Sequence, residues 1–212
     1  VHEEITRYLI EALKESKVEK ICYLSILGAK KDSINKCLSS KAYSEKLLID
    51  SNIPSLILQV PMVLGEGDYA SKAIRKSALS NFTFTFRKKS MEQPIFSEDL
   101  IQAIKNDIDK QFRTKITPSG VKILAGPKAL TREDLIKKAA KTMGMKVKVF
   151  SLPIAFGITL AWIFEKLLVD PPLTRTMLGV LNHDDNVDSR EACEQLGIQL
   201  TPLEEMLKTL MT

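Results

Sequence analysis

Two apolar runs of strand length, Lys20–Leu27 (KICYLSIL) and Leu56–Val60 (LILQV), stand one helix apart, and neither alternates polar with apolar residues. A strand with one wet face alternates, so runs like these require a sheet covered on both sides. Residues 3–16 place Ile5, Tyr8, Leu9, Ala12 and Leu13 at three- and four-residue spacings, which predicts an amphipathic helix before the first run. The stretch 34–51 predicts a second helix between the runs. Helix, strand, helix, strand in that order implies parallel strands joined by helical crossovers. The expected fold class is therefore α/β, built on a doubly wound parallel sheet.

The rest of the chain continues in the same manner. A helix is expected near 69–79, and an alternating strand at Phe82–Phe86. A short strand at 94–96 is expected to return to the main sheet and to run into a helix starting at Ser97-Glu98-Asp99, whose acidic first turn suits the helix dipole. A strand at 121–124, a helix from Thr131 to Gly144 with a capping-box-like start, and a strand at 147–152 follow. The expected division is a first domain over 1–110 and a smaller α/β lobe over 111–212.

Pro153–Val169 is the most apolar stretch of the sequence. It falls short of the ~20 apolar residues that a bilayer crossing needs, and Glu165 and Lys166 interrupt it. It reads as a buried or partner-facing helix, with an interfacial membrane helix anchored by Trp162 as the alternative.

With 44% hydrophobic and 27% charged residues, the composition excludes a disordered or fibrous chain. The net charge of +5 comes from lysines spread along the sequence, whereas a nucleic-acid binder would concentrate them on one element with aromatics between. The densest cluster, Arg87-Lys88-Lys89, reads as solvated charge, with a phosphate-bearing ligand or an anionic membrane surface as the other readings. Cys22, Cys37 and Cys193 are odd in number and far apart, which predicts reduced thiols in a cytoplasmic protein. His183-Asp184-Asp185 with Asp188 carries the ligand types of a hard-cation site, but reads better as a polar loop, and no metal is expected.

The chemistry-bearing residues cluster around the first apolar run. Ser25 sits near its end, where open parallel sheets bind ligands, and Lys41 follows sixteen residues later on the next helix, with Glu45 one turn on. Tyr23-Leu24-Ser25-Ile26-Leu27-Gly28-Ala29, then Lys41-Ala42-Tyr43-Ser44-Glu45, then Leu58-Gln59-Val60-Pro61-Met62-Val63-Leu64-Gly65-Glu66-Gly67-Asp68, and finally Gln93-Pro94-Ile95-Phe96-Ser97-Glu98-Asp99 occur in order. This series resembles the extended and atypical short-chain dehydrogenase/reductases, the NAD(P)-dependent epimerase/dehydratase-like proteins. The tail, from Leu152-Pro153 through Pro172-Leu173-Thr174 to Leu196-Gly197, is similar to the branch that contains the dinucleotide-binding accessory subunit of respiratory complex I.

The resemblance implies a Rossmann-like sheet whose C-terminal half is present here, and NAD or NADP as cofactor. It implies catalytic roles for Ser25, which would hydrogen-bond the substrate oxygen, and for Lys41, which would hold the nicotinamide ribose. Ser25, Lys41, Pro61 and Val63 would line the cofactor. The position four residues before Lys41, where the family carries its proton-transferring Tyr, is Cys37. A thiol titrates near 8.5 against about 10 for a phenol, but its side chain is much shorter. Gln59 stands where the family has Arg, and no G-x-G-x-x-G opens a helix after a strand. The chain opens on Val1 inside a helical pattern, which reads as an N-terminally truncated sequence lacking that glycine-rich loop.

The resulting expectation is an NAD(P)-binding oxidoreductase or nucleoside-diphosphate-sugar epimerase/dehydratase-like protein, acting on a nucleotide-sugar or quinone-like small molecule. The alternatives are a non-catalytic dinucleotide-binding subunit of the complex I accessory type and a membrane-peripheral module. No nucleic-acid partner is expected. A homodimer through helices 3–16 and 34–51 is expected if they pack as in extended family members.

Overall fold

The computed structural model describes residues 2–114, 119–181 and 183–211. In chain order the elements are α1 (His2–Leu13), β1 (Ile21–Ile26), α2 (Lys36–Asp50), β2 (Ser55–Val60), β3 (Val63–Leu64), α3 (Tyr69–Ala78), β4 (Phe82–Phe86), β5 (Met91–Glu92), β6 (Ile95–Phe96), α4 (Ser97–Thr114), β7 (Gly120–Ile123), β8 (Leu130–Thr131), α5 (Arg132–Thr142), β9 (Lys148–Leu152), α6 (Ile154–Leu167), α7 (Arg175–Val180), α8 (Arg190–Leu196) and α9 (Leu203–Met211). They form two compact units. Unit 1 comprises Val1–Pro61, Glu98–Ala125 and Asp188–Gln199, and unit 2 comprises Met62–Ser97, Gly126–Val187 and Leu200–Thr212.

Unit 1 is organised around a sheet of order β1-β2-β7, parallel throughout. The α/β architecture and the parallel pairing read from the two apolar runs are present. The central strand β2 is buried along its length, with Leu56, Ile57 and Leu58 nearly inaccessible. Ile21 and Ile57 meet Leu48 of α2, and Ile10, Leu13 and Tyr23 pack against that cluster. The sequence starts α2 where Asn35 can cap it: its Oδ1 accepts from the amides of Cys37 at 2.8 Å and Leu38 at 3.4 Å, filling two of the orphan donors of the first turn. On α2, Ala42, Glu45 and Leu48 fall three apart and are buried, so the helix turns a glutamate toward the sheet along with its apolar residues.

Unit 2 holds the larger core, in which Leu64, Ile74, Leu135, Ala139, Val149, Met206 and Leu207 are buried together. It contains three two-stranded sheets: parallel β3-β6, parallel β4-β9 and antiparallel β5-β8. The strand at Ile95–Phe96 therefore does not return to the main sheet. It pairs with Val63–Leu64, and β7 takes the place beside β2. A two-residue strand carries no periodicity from which its partner could be read.

Gly65-Glu66-Gly67-Asp68 is a helix start: Asp68 accepts from the amides of Ala70, Ser71 and Gly65, and Gly67 takes the left-handed φ of 75° that the turn requires. The apolar helix α6 is not buried as a whole. Only its Gly157 and Ala161 are.

Candidate functional site

The carboxylate of Glu45 is the hub of the site. Ser25, the fifth residue of β1, is the register partner of Gln59 on β2, so both side chains leave the sheet side by side. The Ser25 hydroxyl donates to Glu45 Oε1, and Gln59 Nε2 donates to both carboxylate oxygens at 3.0 Å each. Ser25 and Glu45 are both buried. The donors that meet this carboxylate are neutral, a hydroxyl and an amide. An Arg at position 59 would have made an ion pair of the same contact.

Lys41 lies one turn before Glu45. Its Nζ donates to the Leu24 carbonyl at 2.9 Å and stands 4.7 Å from the centre of the Tyr23 ring. That places an ammonium on the backbone of the residue next to Ser25, with a cation–π contact beneath it. Among the described residues the buried hydroxyl of Tyr23 has no hydrogen-bond partner. An ammonium has three donors, so two remain for another oxygen when one is spent on Leu24.

Cys37 is half-buried in the first turn of α2, its amide held by the Asn35 cap. The hydrogen bonds of Ser25 and Lys41 go to Glu45 and Leu24, so neither engages the thiol. Pro61 directly follows β2, and Val63 opens β3 opposite Ile95. Glu45 also lines an open basin of 370 Å³ with Lys30, Lys31, Ala42, Lys46, Ile49 and Asp50. Ser25, Cys37 and Lys41 do not line that basin.

Sequence reasoning noted Glu45 and Gln59 without joining them. The signal was the spacing 42, 45, 48 on the inward face of α2, together with a parallel register that sets Ser25 beside Gln59.

A second cluster of titratable groups lies in unit 2 and was not anticipated. Arg132 donates from Nε to Glu92 Oε1 at 2.8 Å, from its Nη2 to the same oxygen, and from Nη1 to the Phe86 carbonyl at 2.8 Å. Burial pushes the Glu92 carboxyl up from the usual range in spite of Arg132. Asp185 is raised to about 6, first by burial and then by the charge of Glu92. The His183-Asp184-Asp185-Asp188 series does not act as a set. Asp184 accepts from Met91 N at 3.2 Å and Arg87 at 3.3 Å, His183 Nε2 stands 3.9 Å from Asp185, and Asp188 pairs with Arg190. Among the described residues no group of three or more His, Cys, Asp or Glu side chains could hold a metal ion.

No family model matches the chain, and no curated protein matches it in sequence. Solved structures do match it in three dimensions. The NADPH-dependent quinone oxidoreductase of Escherichia coli, solved with NADPH, superposes with a TM-score of 0.72 at 21% identity, over 98% of this chain and 71% of that one. The UDP-N-acetylglucosamine 4-epimerase of Bacillus cereus gives 0.68 at 15%, over 99% and 70%. The UDP-glucuronic acid 4-epimerase of the same organism, solved with UDP-glucuronic acid and NAD, gives 0.69 at 18%, over 98% and 65%. This chain has their fold. The Rossmann-like, epimerase/dehydratase-like architecture thus covers nearly all of this chain and about two thirds of each of those.

Proposed function

We propose that this chain is an NAD(P)-binding oxidoreductase or nucleoside-diphosphate-sugar epimerase/dehydratase-like protein. The observation that carries the reading is the placement of Ser25 and Lys41. One lies near the carboxyl end of a parallel strand and the other reaches back from the following helix to the same strand, and open parallel sheets bind ligands at the carboxyl ends of their strands. Bound there, the cofactor supplies a hydride acceptor or donor. The two remaining donors of Lys41 suit a pair of ribose hydroxyls, with Ser25 and Pro61 as further lining. No glycine-rich strand-to-helix turn occurs in the sequence, so these residues would hold the nicotinamide end of the cofactor and not cradle its diphosphate by the usual route. The substrate on this reading is a nucleotide sugar or a quinone-like small molecule, and the setting is cytoplasmic.

A second reading is favoured by a specific observation. The Ser25 proton is committed to Glu45, and Cys37 stands at the position that would transfer a proton to substrate. A general acid must come within hydrogen-bond reach of the reacting atom, and a cysteine side chain is several bonds shorter than a tyrosine. On this reading the chain binds a dinucleotide without turning it over, as a structural subunit of the complex I accessory type would.

Calorimetric titration of the full chain with NAD(H) and NADP(H) tests what the two readings share. Lys41→Met should weaken binding about tenfold, the worth of one charged hydrogen bond. Unchanged affinity would remove Lys41 from the cofactor site. Cys37→Tyr separates the readings: NAD(P)H-dependent turnover gained by the variant supports a degenerate enzyme, and retained binding without turnover supports the structural subunit.

A homodimer is part of the proposal as well. Ile5, Tyr8 and Leu9 form an exposed apolar face on α1, and Ile5→Glu/Leu9→Glu should convert a dimer to a monomer in light scattering.

A further inference from the structure

Unit 2 carries an apolar face that none of its described residues covers. Of the fourteen residues of α6, Phe156, Ile158, Trp162, Ile163 and Leu167 are exposed, Phe156 at 56% and Trp162 at 50%. A helix apolar on all sides belongs inside a protein or in lipid. This one buries Gly157 and Ala161 and leaves the rest open.

The sheet β4-β9 extends the face. Thr83 stands opposite Val149, which belongs to the core, so Phe82, Phe84 and Phe150 alternate outward. Phe84 lies 5.7 Å from its register partner Phe150, ring centre to ring centre, and remains 57% exposed. Phe86, the next rung of the same face, meets α6 at Gly157, where a Cβ would come within 2.6 Å of its ring. Ladder and helix are thus one continuous surface. Contiguous apolar surface of this kind marks an interaction site.

Charge says what covers it. Unit 2 contains sixteen Lys and Arg against eleven Asp and Glu, while unit 1 contains fifteen of each, so the whole excess of +5 belongs to unit 2. Lys148 is the register partner of Phe82, and Lys89, Lys146, Lys148 and Lys166 are exposed and have no ion-pair partner among the described residues. The one acidic residue of α6, Glu165, is taken up by Arg175, which donates its amide and its Nε at 2.7 Å each. An apolar face flanked by uncompensated lysines repels a second copy of itself and attracts an anionic surface.

We propose that unit 2 docks on an anionic lipid bilayer through α6 and the Phe82–Phe84–Phe150 ladder. At 1.5 Å per residue α6 is about 21 Å long, short of the ~30 Å of a hydrocarbon core, and no helix among the described residues is long and apolar enough to cross a membrane. The helix lies in the plane of the interface, with the Trp162 and Phe156 rings at the boundary of headgroups and acyl chains and the lysines on lipid phosphates. Neither signal suffices alone; shallow insertion and a basic flank together give stable attachment. This docking is independent of the dinucleotide reading, and failure of either leaves the other standing.

Trp162 is the only tryptophan of the chain, so its fluorescence reports on α6 directly. Vesicles of phosphatidylcholine with phosphatidylserine should shift its emission to the blue, and brominated acyl chains should quench it. Vesicles of phosphatidylcholine alone should bind at least about tenfold more weakly, since each lysine near an anionic surface contributes about fivefold. Phe156→Glu/Leu167→Glu should cut binding to the mixed vesicles at least tenfold with an unchanged melting temperature, because both side chains are exposed. Lys146→Glu/Lys148→Glu should erase the preference for phosphatidylserine. An emission unchanged by either vesicle overturns the proposal, as does binding without a blue shift, or full binding by the Phe156→Glu/Leu167→Glu variant. A blue shift that follows protein concentration in the absence of lipid also overturns it, in favour of a second copy.

Discussion

Ser25 and Gln59 face each other across β1 and β2 and donate to one carboxylate, that of Glu45 on α2. The three side chains tie the helix to the two strands that carry the candidate site. Ser25 and Glu45 are buried and Gln59 partly so, and each of them hydrogen-bonds within the cluster. Glu45→Ala strips the acceptor from the buried Ser25 hydroxyl and the partly buried Gln59 amide, so it should cost about 1–3 kcal/mol. Glu45→Gln should cost less, because its carbonyl still accepts from Ser25 and the Gln59 amide can turn to offer its own oxygen. Urea denaturation of both variants measures the difference. An alanine variant within about 0.5 kcal/mol of the parent would mean that the cluster does not hold α2 in place.

Glu92 and Arg132 pose the same question with full charges. Arg132 bridges Glu92 and the end of β4 through the Phe86 carbonyl, and both side chains are buried. Taking away one charge strands the other, so Arg132→Met should cost about 3–5 kcal/mol. The double variant Glu92→Gln/Arg132→Met leaves no uncompensated charge and should recover a large part of that loss. A thermal melt of the three proteins reads the coupling directly, and strictly additive losses would contradict it.

The sequence spelled out the elements and left their partners blank. Strands β1 and β2 were legible because a non-alternating apolar run fits only a covered parallel sheet, and α2 because two parallel strands need a crossover between them. The two-residue strands β3, β5 and β8 were not, and β6 was legible as a strand but not in its partner, since pairing over two residues is dictated by the surrounding fold. Whether α6 is buried or faces a partner or a membrane was left open for a related reason: hydropathy reports what a helix is made of, and burial depends on what stands opposite. At the site, Ser25 and Lys41 came from a linear motif. The Glu45 hub needed the register of β1 against β2, which no local pattern encodes.

Gly126 shows where backbone geometry leaves a single choice of residue. Its amide donates to the Gln93 carbonyl at 3.2 Å, and Gln93 Nε2 returns a bond to the Gly126 carbonyl at 2.8 Å. The two segments run so close that a Cβ on Gly126 would lie 1.8 Å from the Pro94 oxygen. Both neighbours are backbone, so no side chain can swing aside. Gly126→Ala should therefore destabilise unit 2 by about 3 kcal/mol or more, at the far end of what overpacking costs. Gly144→Ala makes a useful contrast. A Cβ there meets nothing within 4 Å, and the only cost is the strain of a φ of 70°, about 1–2 kcal/mol. Equal losses in the two variants would show that the Gln93–Gly126 crossing relaxes more freely than its hydrogen bonds suggest.

Asp185 sets a pH dependence whose sign follows from its neighbours. Burial and the adjacent Glu92 charge raise its carboxyl from 3.8 to about 6, while His183 and Arg132 pull the other way. A carboxyl that is harder to ionise in the folded chain holds its proton there over a range in which the unfolded chain has already lost it. Folding then binds protons, and stability falls as pH rises from about 4 to about 6. Below that window both states are protonated and the penalty disappears. Asp185→Asn removes the ionisation and should gain on the order of 1 kcal/mol at pH 7, less than the full linkage value because solvent still reaches the carboxyl. Near pH 4 the variant and the parent should be equal. Denaturant titrations of both proteins across this range test the assignment. A gain that persists undiminished to pH 4 would mean that the asparagine acts through packing, and that the Asp185 charge is not opposed by Glu92.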